Sequence, residues 1–209
     1  MCGIVGQVNF DKSPVSKVVL KKMTDALRHR GPDGEGHWID ENIGLGHRRL
    51  SIIDPSPLGS QPMESRDNRY ILTYNGEIYN FKELRTKLEA KGYWFRSNTD
   101  SEVVLYSLAE WGSDALLKFN GMFALAFWDR KHKQLLLARD RYGIKPLYYY
   151  QDHKKLIFGS EQKAILEQPK FDQQINKKAL LEYFTFQNIF TDHTLLEGIH
   201  LLQPGHYAT

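Results

Sequence analysis

The chain has 209 residues, with 28 lysines and arginines against 25 acidic residues and a formal net charge of +3. That near-balance provides neither the basic face that nucleic acid requires nor the attraction an anionic membrane needs, so neither partner is expected. One cysteine permits no internal disulfide, and the first ten residues lack the basic start and apolar core of a signal peptide, so the expected compartment is the cytoplasm.

The longest apolar run, Met122 to Trp128, falls far short of the roughly 18 residues of a membrane span and reads as a buried strand. No Gly/Ser/Pro-rich linker or charge run divides the chain, which predicts one domain over residues 1–209. The eight histidines follow no ligand spacing such as HExxH or a Cys/His cluster, so no metal is expected.

The cysteine stands second, in Met1-Cys2-Gly3-Ile4-Val5-Gly6. A small second residue permits removal of Met1, which would leave a thiol and a free α-amine on one residue. The amine titrates near ~7.7 to 8 and a free thiol near ~8.5, so the amine can take the thiol proton and return it to a leaving group. Taken alone, a buried cysteine opening a strand is more ordinary than a nucleophile.

Gly3 to Asn9 is β-prone, and Val19, Leu20, Met23 and Leu27 fall at helical spacing within Ser16 to Leu27. Gly31 and Pro32 turn the chain after that helix, and its flanking arginines and histidine are ordinary partners for a helix C-terminus. Ile43 to Ile53 is strand material interrupted by Gly44 and Gly46, with Asp54-Pro55 closing it. Residues 56–62 are too rich in Ser, Pro and Gly for regular structure and suit a lid.

Tyr70 to Tyr74 predicts a strand that ends at Asn75-Gly76-Glu77; a hairpin turn is the commonest meaning of Asn-Gly, but the helix start that follows places it at a strand end instead. Asn80 with Glu83 reads as a capping box for a helix carrying Phe81, Leu84 and Leu88 and ending at Gly92. A second capped helix starts at Thr99 or Asp100, with Glu102 reaching back, and stops at Gly112. Met122 to Asp129 pairs with Gln134 to Arg139, and Pro146 to Tyr150 with Lys155 to Gly159. Both hairpins are too apolar for either face to meet water. Glu161 to Gln168 and Asn176 to Phe184 read as helices, and short extended pieces follow from Thr194. The expected class is α+β with packed sheets.

Several motifs then recur in a known order: the opening Met1 to Gly6, Arg28-His29-Arg30-Gly31-Pro32-Asp33, Arg49 to Asp54, Gly59 to Met63, Asn75 to Asn80, Asp100 to Val103, Gly121 to Ala124 and Asp140 to Tyr149. Together they resemble the class II glutamine amidotransferase domain of glutamine-hydrolysing asparagine synthetases. The resemblance implies the N-terminal nucleophile hydrolase fold, a four-layer α/β/β/α sandwich of two antiparallel sheets between helical layers. It implies hydrolysis of L-glutamine to glutamate and ammonia through a Cys2 thioester, with Asn75 and the Gly76 N–H holding the oxyanion. Arg49 takes the substrate α-carboxylate, Asp100 and Glu77 face its α-ammonium, and the main chain through Ile52 and Ile53 lines the pocket.

The same resemblance implies an ATP-dependent domain that converts aspartate to asparagine. Neither a GxxxxGK[ST] nor a Ser-Gly-Gly loop is found, so that domain, with its ATP and magnesium, is expected to lie outside this chain. No cofactor is expected here, and a homodimer is allowed. Three rival functions fit the residues: an amidotransferase serving another acid, a non-catalytic glutamine-binding regulatory domain, and an amidase or acylase of the same hydrolase superfamily.

Overall fold

The computed structural model describes residues 1–51 and 56–209. In chain order it contains β1 (Gly3–Asn9), α1 (Lys17–Asp25), β2 (Gly34–Asp40), β3 (Ile43–Arg49), β4 (Met63–Glu64), β5 (Tyr70–Ile78), α2 (Phe81–Glu89), α3 (Asp100–Trp111), α4 (Ala115–Lys118), β6 (Gly121–Asp129), β7 (Gln134–Arg139), β8 (Tyr148–Gln151), β9 (Lys155–Gly159), α5 (Gln162–Leu166), α6 (Lys177–Phe186), β10 (Ile199–Leu201) and β11 (Tyr207–Ala208). They form a six-stranded sheet, β10-β8-β9-β1-β3-β2, and a five-stranded sheet, β11-β7-β6-β5-β4. Each paired neighbour is antiparallel.

Burial explains the layering. Ile4, Val8, Leu45 and Phe158 of the first sheet pack against Ile71, Ala124, Ala126 and Leu137 of the second. On the outer face of the second sheet, Leu72, Leu125 and Phe127 meet Leu84 and Leu88 of α2 and Val104 and Leu108 of α3. On the outer face of the first, Val5 and Ile157 meet Leu20 and Met23 of α1 and Ile165 of α5. Strands covered on both faces carry apolar residues at consecutive positions, which accounts for the runs that alternation could not explain. The result is the expected α/β/β/α order.

Four local features depart from what the sequence pattern announces. β2 is a strand that the sequence pattern does not announce. Its sequence Gly-Glu-Gly-His-Trp-Ile-Asp has no apolar face, and it survives as an edge strand hydrogen-bonded along β3. Asn75-Gly76 does not end a strand, because β5 continues through it with Asn75 opposite Ala124 and Gly76 opposite Phe123. Gly76 is there for close approach, since a Cβ would fall 2.4 Å from the Met122 carbonyl oxygen. Asn80 does not cap α2; its side chain donates to Lys118 O (3.0 Å) and accepts from Asn120 N (3.0 Å), tying α2 to the approach to β6.

The fourth departure concerns α3. Thr99 Oγ1 accepts from Glu102 N (3.3 Å), as a cap should. Glu102, however, does not return the bond to Thr99. Its buried carboxylate accepts from Ser97 N (2.8 Å), Ser97 Oγ (2.7 Å) and Arg96 N (3.1 Å), clamping the segment that leads into the helix. Among the described residues, no helix is long and apolar enough to cross a membrane.

Candidate active site

Cys2 directly precedes β1, the strand flanked by β3 and β9, and its backbone is fixed from several sides. Arg30 Nε donates to Cys2 O (3.0 Å) while Arg30 Nη1 bridges to Glu161 Oε1 (2.9 Å). Two residues on, Ile4 N donates to Ser160 Oγ (3.0 Å), and Ser160 N returns a bond to Ile4 O (2.9 Å). The thiol faces the backbone of Leu50, whose N–H donates to Sγ (3.4 Å). Burial pushes the thiol pKa up from its ordinary value, against the pull of Leu50, the terminal amine and Arg49. Cys2 therefore rests as a neutral thiol at pH 7 and needs a base to become a nucleophile.

Opposite it lies a cavity of about 250 Å³, lined among others by Cys2, Arg49, Asn75, Gly76, Glu77 and Asp100. Every described residue expected in the site thus meets one space. Ile52 and Ile53 lie outside the described residues. Asn75 is buried, and among the described residues its Nδ2 has no hydrogen-bond partner. An unpaired buried amide N–H costs about 1–3 kcal/mol unless something accepts from it, so it marks a place for an acceptor oxygen.

Asp100 occupies the first turn of α3, held by the Thr99 cap, and its Oδ2 accepts from Tyr74 Oη (2.7 Å) and Ile78 N (3.0 Å). Burial raises the carboxyl pKa, and those two donors oppose the rise. Arg49, the last residue of β3, donates from Nη1 to Ser56 O (2.7 Å). Its guanidinium packs on Gly59, where a Cβ would lie 2.3 Å from Nη2. Glu77 lies half-buried on β5 beside these groups. The cavity therefore places a guanidinium and carboxylates around a thiol and an unpaired amide donor.

Sequence reasoning overlooked the supporting residues. Tyr74 reads as core within an apolar strand, yet its hydroxyl positions Asp100. Gln61 accepts from Tyr74 N (2.6 Å) and donates to Ser101 Oγ (3.3 Å), joining residues 56–62 to β5 and α3. Lys145 reaches the cavity from a loop whose backbone Asp140 and Arg139 hold: Asp140 accepts from Lys145 N (3.0 Å), and Arg139 Nε donates to Lys145 O (2.9 Å). Met1 also borders the cavity. A polar side chain in a motif-like stretch was the available signal for Gln61 and Lys145; nothing distinguished Tyr74.

Two facing antiparallel sheets between helices, with a thiol at residue 2 beside a buried amide donor, give the architecture of the N-terminal nucleophile hydrolase fold. The fold matches that of glutamine phosphoribosylpyrophosphate amidotransferase from Bacillus subtilis complexed with ADP and GMP, with a TM-score of 0.66 at 19% identity, over 78% of this chain and 43% of that one. The family described as "Glutamine amidotransferase domain" matches residues 1–209, and the chain belongs to it. Among relatives, asparagine synthetase [glutamine-hydrolyzing] 3 of Bacillus subtilis is 40% identical over 213 residues, covering 100% of this chain and 34% of the relative. Asparagine synthetase [glutamine-hydrolyzing] 1 of the same organism is 41% identical over 214 residues, covering 100% and 33%. The chain thus spans about one third of the length of these relatives.

Proposed function

We propose that the chain hydrolyses L-glutamine to glutamate and ammonia, with Cys2 as nucleophile. The observation that carries this reading is the buried Asn75 amide, without a hydrogen-bond partner among the described residues, in the wall of the cavity that Cys2 also lines. Once Met1 is removed, the α-amine of Cys2 takes the thiol proton, and Sγ attacks the side-chain amide carbon. Negative charge moves to the amide oxygen, where Asn75 Nδ2 and the Gly76 N–H stabilise it. Removing one such donor costs about 3 kcal/mol in the transition state. The C–N bond then breaks, the amine returns its proton, and ammonia leaves a thioester. Water adds to that thioester, releasing glutamate and restoring the thiol.

Arg49 binds the α-carboxylate through its planar fork, and Asp100 with Glu77 binds the α-ammonium. The ammonia serves an ATP-dependent segment of a longer parent protein that converts aspartate to asparagine; the names of the relatives support this acceptor. Magnesium and ATP act in that segment, and the glutaminase steps use only groups of this chain.

The test is the intact mass of the chain, together with glutamate release, before and after treatment with a glutamine analogue bearing a diazoketone in place of the amide. Protein lacking Met1 should release glutamate and ammonia in equal amounts and gain one adduct. Excess glutamine should block that adduct, and Cys2→Ala should abolish it. Loss of Met1 without adduct or turnover rules the nucleophile out. Arg49→Ala separates a general amidase from a glutaminase, because only the latter should show a large rise in KM for glutamine.

A further inference from the structure

Far along the chain from the thiol, where the segment after α6 returns to the first sheet, His193 and His200 stand opposite one another in an antiparallel bridge. Directly paired residues put their side chains on one face with Cβ atoms about 5 Å apart. The two imidazoles accordingly lie 5.6 Å apart, centroid to centroid. Asp192 joins them: its Oδ2 is 3.0 Å from His200 Nδ1, and its carbonyl accepts from Leu201 N (2.7 Å). Taking one ligand atom from each of Asp192, His193 and His200, all lie within 4.8 Å of one another.

The geometry points to a divalent transition-metal site at Asp192, His193 and His200. Two imidazoles and one carboxylate form a donor set that favours zinc, cobalt, nickel or copper over magnesium or calcium, which prefer oxygen alone. One carboxylate charge partly offsets that of a divalent ion. Zinc bonds to such atoms at about 2.0–2.2 Å, which needs the donors to close to roughly 3–3.5 Å; side-chain rotation of half-buried residues achieves this.

The backbone under the site is already ordered. His200 lies on β10 opposite Tyr149 of β8, whose ring stacks on the imidazole at 5.5 Å. His193 also borders an open hollow of about 340 Å³ lined by Asn176 and Glu197, which leaves room for water as a fourth ligand. The six intervening residues explain why no standard spacing exposes the site in the sequence: sheet pairing, not a helix turn or a short Cys/His loop, brings the ligands together. A bound ion would fasten the connection from α6 to β10 and stabilise the folded chain by mass action.

The test uses the untagged, metal-free Cys2→Ala chain, so that neither a histidine tag nor the thiol contributes. Zinc is titrated against a chromophoric chelator, and cobalt binding is followed by its visible absorption. The expected result is one ion per chain at low-micromolar or tighter affinity, with a melting temperature that rises in zinc. His193→Ala and His200→Ala should each weaken binding by about tenfold or more. His153→Ala, in the turn between β8 and β9, should leave it unchanged. Absence of saturable binding to the Cys2→Ala chain overturns the proposal, as does undiminished binding by a folded His193→Ala/His200→Ala double variant.

Discussion

At the scale of single residues, the proposed reaction separates the groups of the cavity that would react from those that would hold them. Asn75→Ala should lower kcat by about a hundredfold or more with KM little changed, because the amide acts on charge that exists only in the transition state. Gly59→Ala should do the reverse. The added methyl meets the tip of the Arg49 guanidinium and the Thr99 methyl, so a flexible side chain swings aside and the fold is spared. Steady-state kinetics should show KM for glutamine raised about tenfold, and a melt should show almost no change; an unaltered KM would mean that Arg49 does not contact the substrate. Tyr74→Phe removes the hydroxyl that donates to Asp100 and should cost about 1 kcal/mol in urea unfolding. That bond also lowers the Asp100 pKa, so without it burial acts less opposed and the carboxyl pKa climbs further. The acid limb of glutamine binding should therefore move to higher pH in the variant, which a KM profile from pH 5 to 8 would detect.

At the scale of elements, the site depends on how α3 begins. Glu102 gathers two backbone N–H groups and a hydroxyl ahead of the helix, and two residues earlier Asp100 faces the cavity. Glu102→Ala should lower stability by about 2–3 kcal/mol, because those buried donors lose their acceptor. It should also raise KM, since the first turn no longer holds Asp100 in place. Intact glutamine affinity in a folded Glu102→Ala protein would show that the clamp serves the fold alone. The same element marks what the sequence could and could not reveal. Thr99, Glu102 and the apolar spacing of Val104 and Leu108 announce a capped helix, but the destination of the Glu102 carboxylate depends on where residues 96–97 turn. The paired strands after Gly121 are legible because they are apolar on both faces. β2 is not, because an edge strand is defined by its neighbour rather than by its own pattern. Asn75-Gly76 misled for a physical reason: glycine serves turns and close contacts alike, and only the partner strand distinguishes them. Cys2, Arg49 and Asp100 stand out through their motifs, while Tyr74 acts through another residue and carries no signature.

At the scale of the whole molecule, the two sheets meet through polar as well as apolar contacts. Thr73 Oγ1 donates to Gly46 O (3.3 Å), and His47 Nε2 lies 3.2 Å from Tyr74 O. Burial pushes the His47 pKa down to about 3, so the ring is neutral and its Nε2–H donates to that carbonyl. In the unfolded chain the same ring titrates near ~6.5. Between those values only the unfolded state holds the extra proton, so stability is full above about pH 6.5 and falls as pH drops toward 3. The His47 share of that loss should reach about 2–3 kcal/mol by pH 4.5. In urea unfolding, the stability gap between the parent and His47→Gln should narrow by that amount from pH 7 to pH 4.5, and a constant gap would show that His47 titrates normally. The interleaving of the sheets has a further effect. Cys2 directly precedes β1, which lies between β3 and β9, and β9 begins only at Lys155. On a ribosome adding about 5–20 residues per second, β1 therefore waits roughly 8 to 30 s for its second neighbour. Under the proposed mechanism, removal of Met1 would therefore have its opportunity during synthesis, while the strand that follows Cys2 still lacks a neighbour and the cavity does not yet exist.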